Sequence, residues 1–197
     1  SHSSLVTYVD KQSEAQIVEH LKRLIPSSGF ITEEGTASYS LERYKWIVDP
    51  LDGTTNFVHG IYPHSVSIAL MDNQDIVLGV VFEIGQNEMF YAWKDSPAFL
   101  NGKIINPASN TNLKDTLIGT GFPYYDFEII DKYLASMKYL MEHTRGLRRM
   151  GSAAVDLSYV AAGRYDAFYE HALHPWDVAA GAFILKQAGG QITDFNG

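Results

Sequence analysis

Cysteine is absent from the 197 residues. Its absence excludes disulfides, zinc-thiolate sites and cysteine nucleophiles, and it fits a reducing compartment, which we expect to be the cytoplasm. There is also no secretory leader and no apolar run long enough to span a bilayer, so no membrane partner is expected. Positive charge is scarce: 15 Lys and Arg stand against 23 Asp and Glu, a formal net charge of -8. That balance argues against nucleic acid as a partner and is compatible with a site whose acids hold cations. No repeat, low-complexity tract or flexible linker interrupts the chain. With 46% hydrophobic residues it can build a sizeable core. Ser1-His2-Ser3-Ser4 runs straight into Leu5-Val6-Thr7, and Asp194-Phe195-Asn196-Gly197 closes as abruptly. Residues are therefore expected to be missing at both ends.

The pattern predicts a helix from Ser13, with Ile17, Val18, Leu21, Leu24 and Ile25 as its stripe and Pro26 as its stop. Phe30-Ile31 reads as a short buried strand, residues 36–45 as loop, and Trp46-Ile47-Val48 as a second buried strand. Strands are expected at 65–70, 76–82 and 89–93. Asn101-Gly102 then signals a hairpin between Ala98-Phe99-Leu100 and Lys103-Ile104-Ile105. Beyond residue 110 the rhythm changes. Strands at 117–120, 147–150 and 167–169 alternate with helices at 131–142, 153–162 and 178–188. Gly189-Gly190 closes the last helix, and Gln191-Ile192-Thr193 begins one more strand. The expected fold class is α/β (α+β layered): alternating layers of helices and sheets. Its first half (1–110) is mainly antiparallel and its second (111–197) is mixed α/β, the two sharing an interface.

The chemistry concentrates at Asp49-Pro50-Leu51-Asp52-Gly53-Thr54-Thr55-Asn56-Phe57. A buried strand delivers two carboxylates, three positions apart, into a turn. The Gly53, Thr54 and Thr55 amides follow at a helix start, where anions bind. Carboxylates beside an anion site make sense if a cation lies between them. Alone, Glu33 reads as a solvated loop acid and Asp177 as a helix N-cap. Together with Asp49 and Asp52 they offer four carboxylates, each at a strand end or helix start. Two such charges ~4 Å apart repel by roughly 4 kcal/mol at an effective dielectric of ~20, so protons or cations must relieve them. Hard oxygen donors without histidine or cysteine favour magnesium or manganese over zinc. His171 and His174 read as neighbours of the site.

Five segments resemble, in type and order, the inositol monophosphatase family of magnesium-dependent, lithium-sensitive phosphatases. They are Leu5-Val6-Thr7-Tyr8-Val9-Asp10, Phe30-Ile31-Thr32-Glu33-Glu34-Gly35, residues 49–57, Gly151-Ser152-Ala153-Ala154 and Pro175-Trp176-Asp177-Val178-Ala179-Ala180-Gly181. The resemblance implies that Glu33, Asp49 and the Leu51 carbonyl hold a first Mg2+. Asp49, Asp52 and Asp177 would hold a second, and a third, weaker ion would touch Glu33 through water. It implies that Thr54, bonded to Asp10, orients and deprotonates the attacking water. Gly53, Thr54 and Thr55 would cradle the phosphate. Gly151, Ser152, Ala153 and Glu170 would meet the polyol. The Thr55-Asn56-Phe57 form is similar to the inositol monophosphatase branch, which implies inositol 1-phosphate as substrate and a homodimer as assembly. Fructose 1,6-bisphosphate or a 3′-phosphonucleotide is the alternative, for which Arg148, Arg149 and Arg164 are the available basic residues. The family places an acid where Ser4 stands and a basic residue ahead of Leu5; the first is a departure and the second lies before the chain starts.

Overall fold

A computed structural model describes residues 8–35, 42–124 and 127–197. Helix α1 (Tyr8–Leu24) leads into strands β1 (Gly29–Thr32) and β2 (Tyr44–Asp52), the short helix α2 (Thr54–Val58), and strands β3 (Ser65–Asp72), β4 (Asp75–Glu83), β5 (Glu88–Trp93), β6 (Ala98–Leu100) and β7 (Lys103–Ile105). These strands form one sheet in chain order, parallel between β1 and β2 and antiparallel elsewhere. Strand β8 (Leu117–Thr120), helix α3 (Ile130–His143), strand β9 (Gly146–Arg148), helix α4 (Ala153–Ala161), strand β10 (Ala167–Tyr169) and helix α5 (Pro175–Gln187) follow. The second sheet has the order β10-β8-β9 and is parallel throughout.

The layering follows from the period-2 pattern of the strands. One face of the first sheet sets Ile47, Ala69, Val81, Phe90 and Ala92 against Ala154, Ala180 and Ile184 of α4 and α5. The other sets Trp46 and Val48 against Val18 and Leu21 of α1. Burying Phe90 and Ile184 contributes roughly 1.5–3 kcal/mol each. Small residues set the spacing of the first contact. A Cβ on Gly79 would lie 2.8 Å from the Ala180 carbonyl, and one on Gly181 would lie 2.8 Å from Leu157 Cβ. Helices from beyond residue 110 thus share a core with the first sheet.

Most expected elements form, with differences that have physical causes. Helix α1 starts at Tyr8 rather than Ser13, which brings Asp10 into it. Tyr44 and Lys45 pair with Asp72 and Met71 and belong to β2, not to a loop. Helix α5 starts three residues early, because Pro175 at its first turn needs no N–H partner. Residues 191–193 form no strand: all three are exposed and pair with neither sheet, so no buried face holds them extended. Asn101 and Gly102 both take positive φ (47° and 81°), as their hairpin turn requires. Leu5-Val6-Thr7, Ser4 and residues 36–41 of the expected loop lie outside the described residues.

Candidate active site

In a regular strand, residues three apart point to opposite faces. Asp49 and Asp52 escape this because β2 carries an irregularity between them. Asp49 pairs with Ser67 and Asp52 with Ser65, so two residues of β2 oppose one of β3. Pro50 has no amide to give. The Leu51 N–H turns inward and donates to Asp49 Oδ1 at 2.9 Å. The extra residue brings both carboxylates to one side.

The third acid arrives on α5. Asp177 sits at its third position and accepts the His174 N–H at 2.6 Å, closing a capping box. His174, not Asp177, is the N-cap. One oxygen from each of Asp49, Asp52 and Asp177 lies within 4.8 Å of the others. Two serines of β3 brace the group. Ser67, opposite Asp49, lies 3.3 Å from the Trp176 carbonyl, to which it donates. Ser65, opposite Asp52, lies 3.3 Å from the Ser152 hydroxyl. Asp52 Oδ2 accepts from Ser152 Oγ at 2.6 Å and from the Ala154 N–H at 2.8 Å, at the start of α4. The Ser152 side chain is thus engaged with a ligand candidate.

No counter-charge answers these acids: none of the ion pairs among the described residues includes Asp49, Asp52 or Asp177. Burial first, then the Asp52 and Glu33 charges, raises the Asp49 carboxyl well above its usual range. Burial pushes Asp52 up to about 7 against the hydrogen bonds of Ser152 and α4. Asp177 is raised by burial too. Glu33 follows β1 with its side chain still open to solvent; partial desolvation, with the Asp177, Glu34 and Asp52 charges adding and a hydrogen bond to Asp49 opposing, holds its carboxyl above the usual range. It borders the three-acid group without joining it. Oxygen-only, mutually repelling donors fit a hard divalent cation.

Thr54 opens α2 beside these acids. Its hydroxyl lies 3.2 Å from Asp10 Oδ1 and 3.0 Å from the Leu51 carbonyl. Gly53 before it takes φ 89°, and the first backbone bond of α2 runs from Phe57 N–H to the Gly53 carbonyl. The earlier amides therefore have no partner inside the helix. On the far side, Glu170 follows β10 and packs on Gly121, where a Cβ would lie 1.8 Å from its Cδ. Burial and the Asp52 charge raise Glu170 to about 7, and Arg149 lowers it. Arg149 stacks over Phe122 and Tyr124, at 5.3 and 5.4 Å from the ring centroids. Arg164 is elsewhere, forked onto Glu88 and stacked on Tyr159.

Two residues of this region went unread in the sequence. Asp156 is 1% exposed and raised to about 8, by burial and then by Asp52 and Glu170. Its signal was an acid inside the apolar run of α4. Asn56 is 4% exposed and bonds two carbonyls. It stands in the quoted motif, but no local pattern reveals its partners.

The sequence profile of the inositol monophosphatase family matches residues 1–197. An inositol-1-monophosphatase of Rhizobium meliloti is 42% identical over 193 residues, covering 98% of this chain and 73% of that protein. The Nus factor SuhB of Pseudomonas aeruginosa is 43% identical, with 98% and 73% covered. A fructose-1,6-bisphosphatase/inositol-1-monophosphatase of Thermotoga maritima is 40% identical, with 98% and 72% covered. The solved inositol monophosphatase of Anabaena (Nostoc) sp. PCC 7120 superposes with a TM-score of 0.89 at 38% identity, over 95% of this chain and 75% of that one.

Proposed function

The chain belongs to the inositol monophosphatase family of phosphoric monoester hydrolases, and from that premise we propose that it hydrolyses inositol 1-phosphate to inositol and phosphate with Mg2+. The observation that carries this reading is the meeting of Asp49, Asp52 and Asp177 beside the Thr54–Asp10 hydrogen bond. Asp49, Asp52 and Asp177 would hold one ion, and Glu33, Asp49 and the Leu51 carbonyl another, with a third reached from Glu33 through water. When bound, the ions acidify water and neutralise phosphate charge.

The protein groups do the rest. Asp10, 1% exposed, keeps the Thr54 hydroxyl pointed. As the water oxygen bonds to phosphorus and the ester P–O bond breaks, Thr54 Oγ accepts the water's proton while its own passes to Asp10, and the departing inositol oxygen takes a proton from solvent. The amides of Gly53, Thr54 and Thr55 hold the phosphate oxygens. Glu170 accepts a hydroxyl of the polyol, and the backbone at Gly151, Ser152 and Ala153 borders it. Fructose 1,6-bisphosphate is the second reading. The Thermotoga relative's name favours it, as does Arg149 beside Glu170.

A phosphate-release assay with magnesium tests the proposal. Inositol 1-phosphate should be the best of four esters, the others being fructose 1,6-bisphosphate, adenosine 3′,5′-bisphosphate and histidinol phosphate. Faster release from the sugar bisphosphate would move the assignment to the second reading. Release from none would remove it. Lithium should inhibit at saturating magnesium. We place the activity in the cytoplasm and in a homodimer, and sedimentation should return twice the chain mass. No helix among the described residues is long and apolar enough to cross a membrane.

A further inference from the structure

Asn56 is the buried residue of α2. Its Nδ2 group donates to the Pro63 carbonyl at 2.7 Å, seven residues on, and to the Met150 carbonyl at 2.7 Å, 94 residues on. Both hydrogens of one amide are spent on two loops. Around it the backbones touch. A Cβ on Gly53 would lie 3.0 Å from the Pro63 carbonyl and 3.2 Å from that of Gly151. One on Gly151 would lie 3.3 Å from both polar atoms of the Asn56 amide. The turn after Asp52, the loop at Pro63 and the segment leading into α4 therefore meet at this side chain.

We propose that Asn56 is a positioning and specificity-determining residue, fixing the spacing between the phosphate-holding turn at Gly53 and the polyol-bordering edge at Gly151. The inference rests on the functional reading above and adds what sets its selectivity. A primary amide suits the task because one atom carries two donors. Aspartate has the same shape, yet when ionised it offers no donor and sets charge against two carbonyls. A substrate held at both edges feels a change in their spacing. An ester held by its phosphate alone does not.

The test uses the full chain with Asn56→Asp and Asn56→Ser. The kcat/KM for inositol 1-phosphate is compared with that for p-nitrophenyl phosphate at saturating magnesium, and amide hydrogen exchange is followed over residues 150–154. The ratio of the two kcat/KM values should fall about tenfold, chiefly through the KM of the inositol ester. Exchange at 150–154 should quicken while α5 stays as protected as in wild type. Equal losses for both esters, or unchanged exchange, would overturn the clamp. If Asn56→Asp loses its cooperative melt, the serine variant supplies the same two readouts. If wild type cleaves neither ester, the phosphatase reading falls and hydrogen exchange alone decides the clamp.

Discussion

Asp52 shows how one carboxylate can serve the fold and the chemistry with opposite effects on each. Ser152 and the Ala154 amide hold it, while burial lifts it to about 7. Asp52→Asn should therefore abolish turnover, yet leave the metal-free melting temperature equal or higher, since a repelled charge is gone. Near-normal hydrolysis by this variant would count against the site. Gly121 is a second sensitive position, where a methyl group would occupy the space of the Glu170 carboxyl. Gly121→Ala should raise the KM for inositol 1-phosphate by roughly tenfold with folding retained; steady-state kinetics decide it. The sequence offered these residues unequally. Asp49, Asp52 and Asp177 carried visible motif context. Gly121 did not, because its neighbour Glu170 lies 49 positions away and contact across that distance leaves no local trace.

At the scale of elements, the site is a junction of one strand bend and three helix starts. The β2 bend turns two acids to one side, α2 begins at Thr54, and α4 and α5 begin at Ala153 and Pro175. Ser152 caps α4, accepting the Val155 N–H at 3.4 Å, and also holds Asp52. Ser152→Ala should cost about 1 kcal/mol of stability as a lost cap. It should also shift the magnesium half-saturation upward. Denaturant melts with and without magnesium separate the two effects. Gly79→Val should lower the melting temperature sharply, because its side chain would meet the backbone of Ala180 and lift α5, with Asp177, off the sheet.

Across the whole molecule, the raised carboxyls make stability depend on pH in an unusual direction. Asp52 and Asp156 have ordinary values of 3.8 and folded values of about 7 and about 8. Between those limits the folded state binds more protons than the unfolded one, so their contribution falls as pH rises. Metal-free protein should lose melting temperature from about pH 5 to about pH 8 as these two carboxyls ionise. Magnesium held by the ionised acids of the folded state should raise the melting temperature most at the alkaline end. Thermal melts over that range, with and without millimolar magnesium, read both trends. A melt that magnesium leaves unchanged would mean that the acids do not hold it.

By itself the sequence determined what is local. Side-chain periods placed nearly every strand and helix, Asn101-Gly102 set a hairpin, and the acidic turn from Asp49 to Asp52 pointed to a cation, the phosphatase chemistry being what the family resemblance implied. These are preferences of neighbouring residues and survive in a linear reading. Only the tertiary structure decided what is shared between distant segments: the face on which Asp49 and Asp52 meet, the engagement of Ser152 with Asp52, the bridge from Asn56 to Met150, and the missing strand at 191–193. The first three depend on partners brought close by packing of the core, and the last on the lack of a paired strand among the described residues. Hydrogen bonding and charge repulsion act over a few ångströms in space, whatever the separation along the chain.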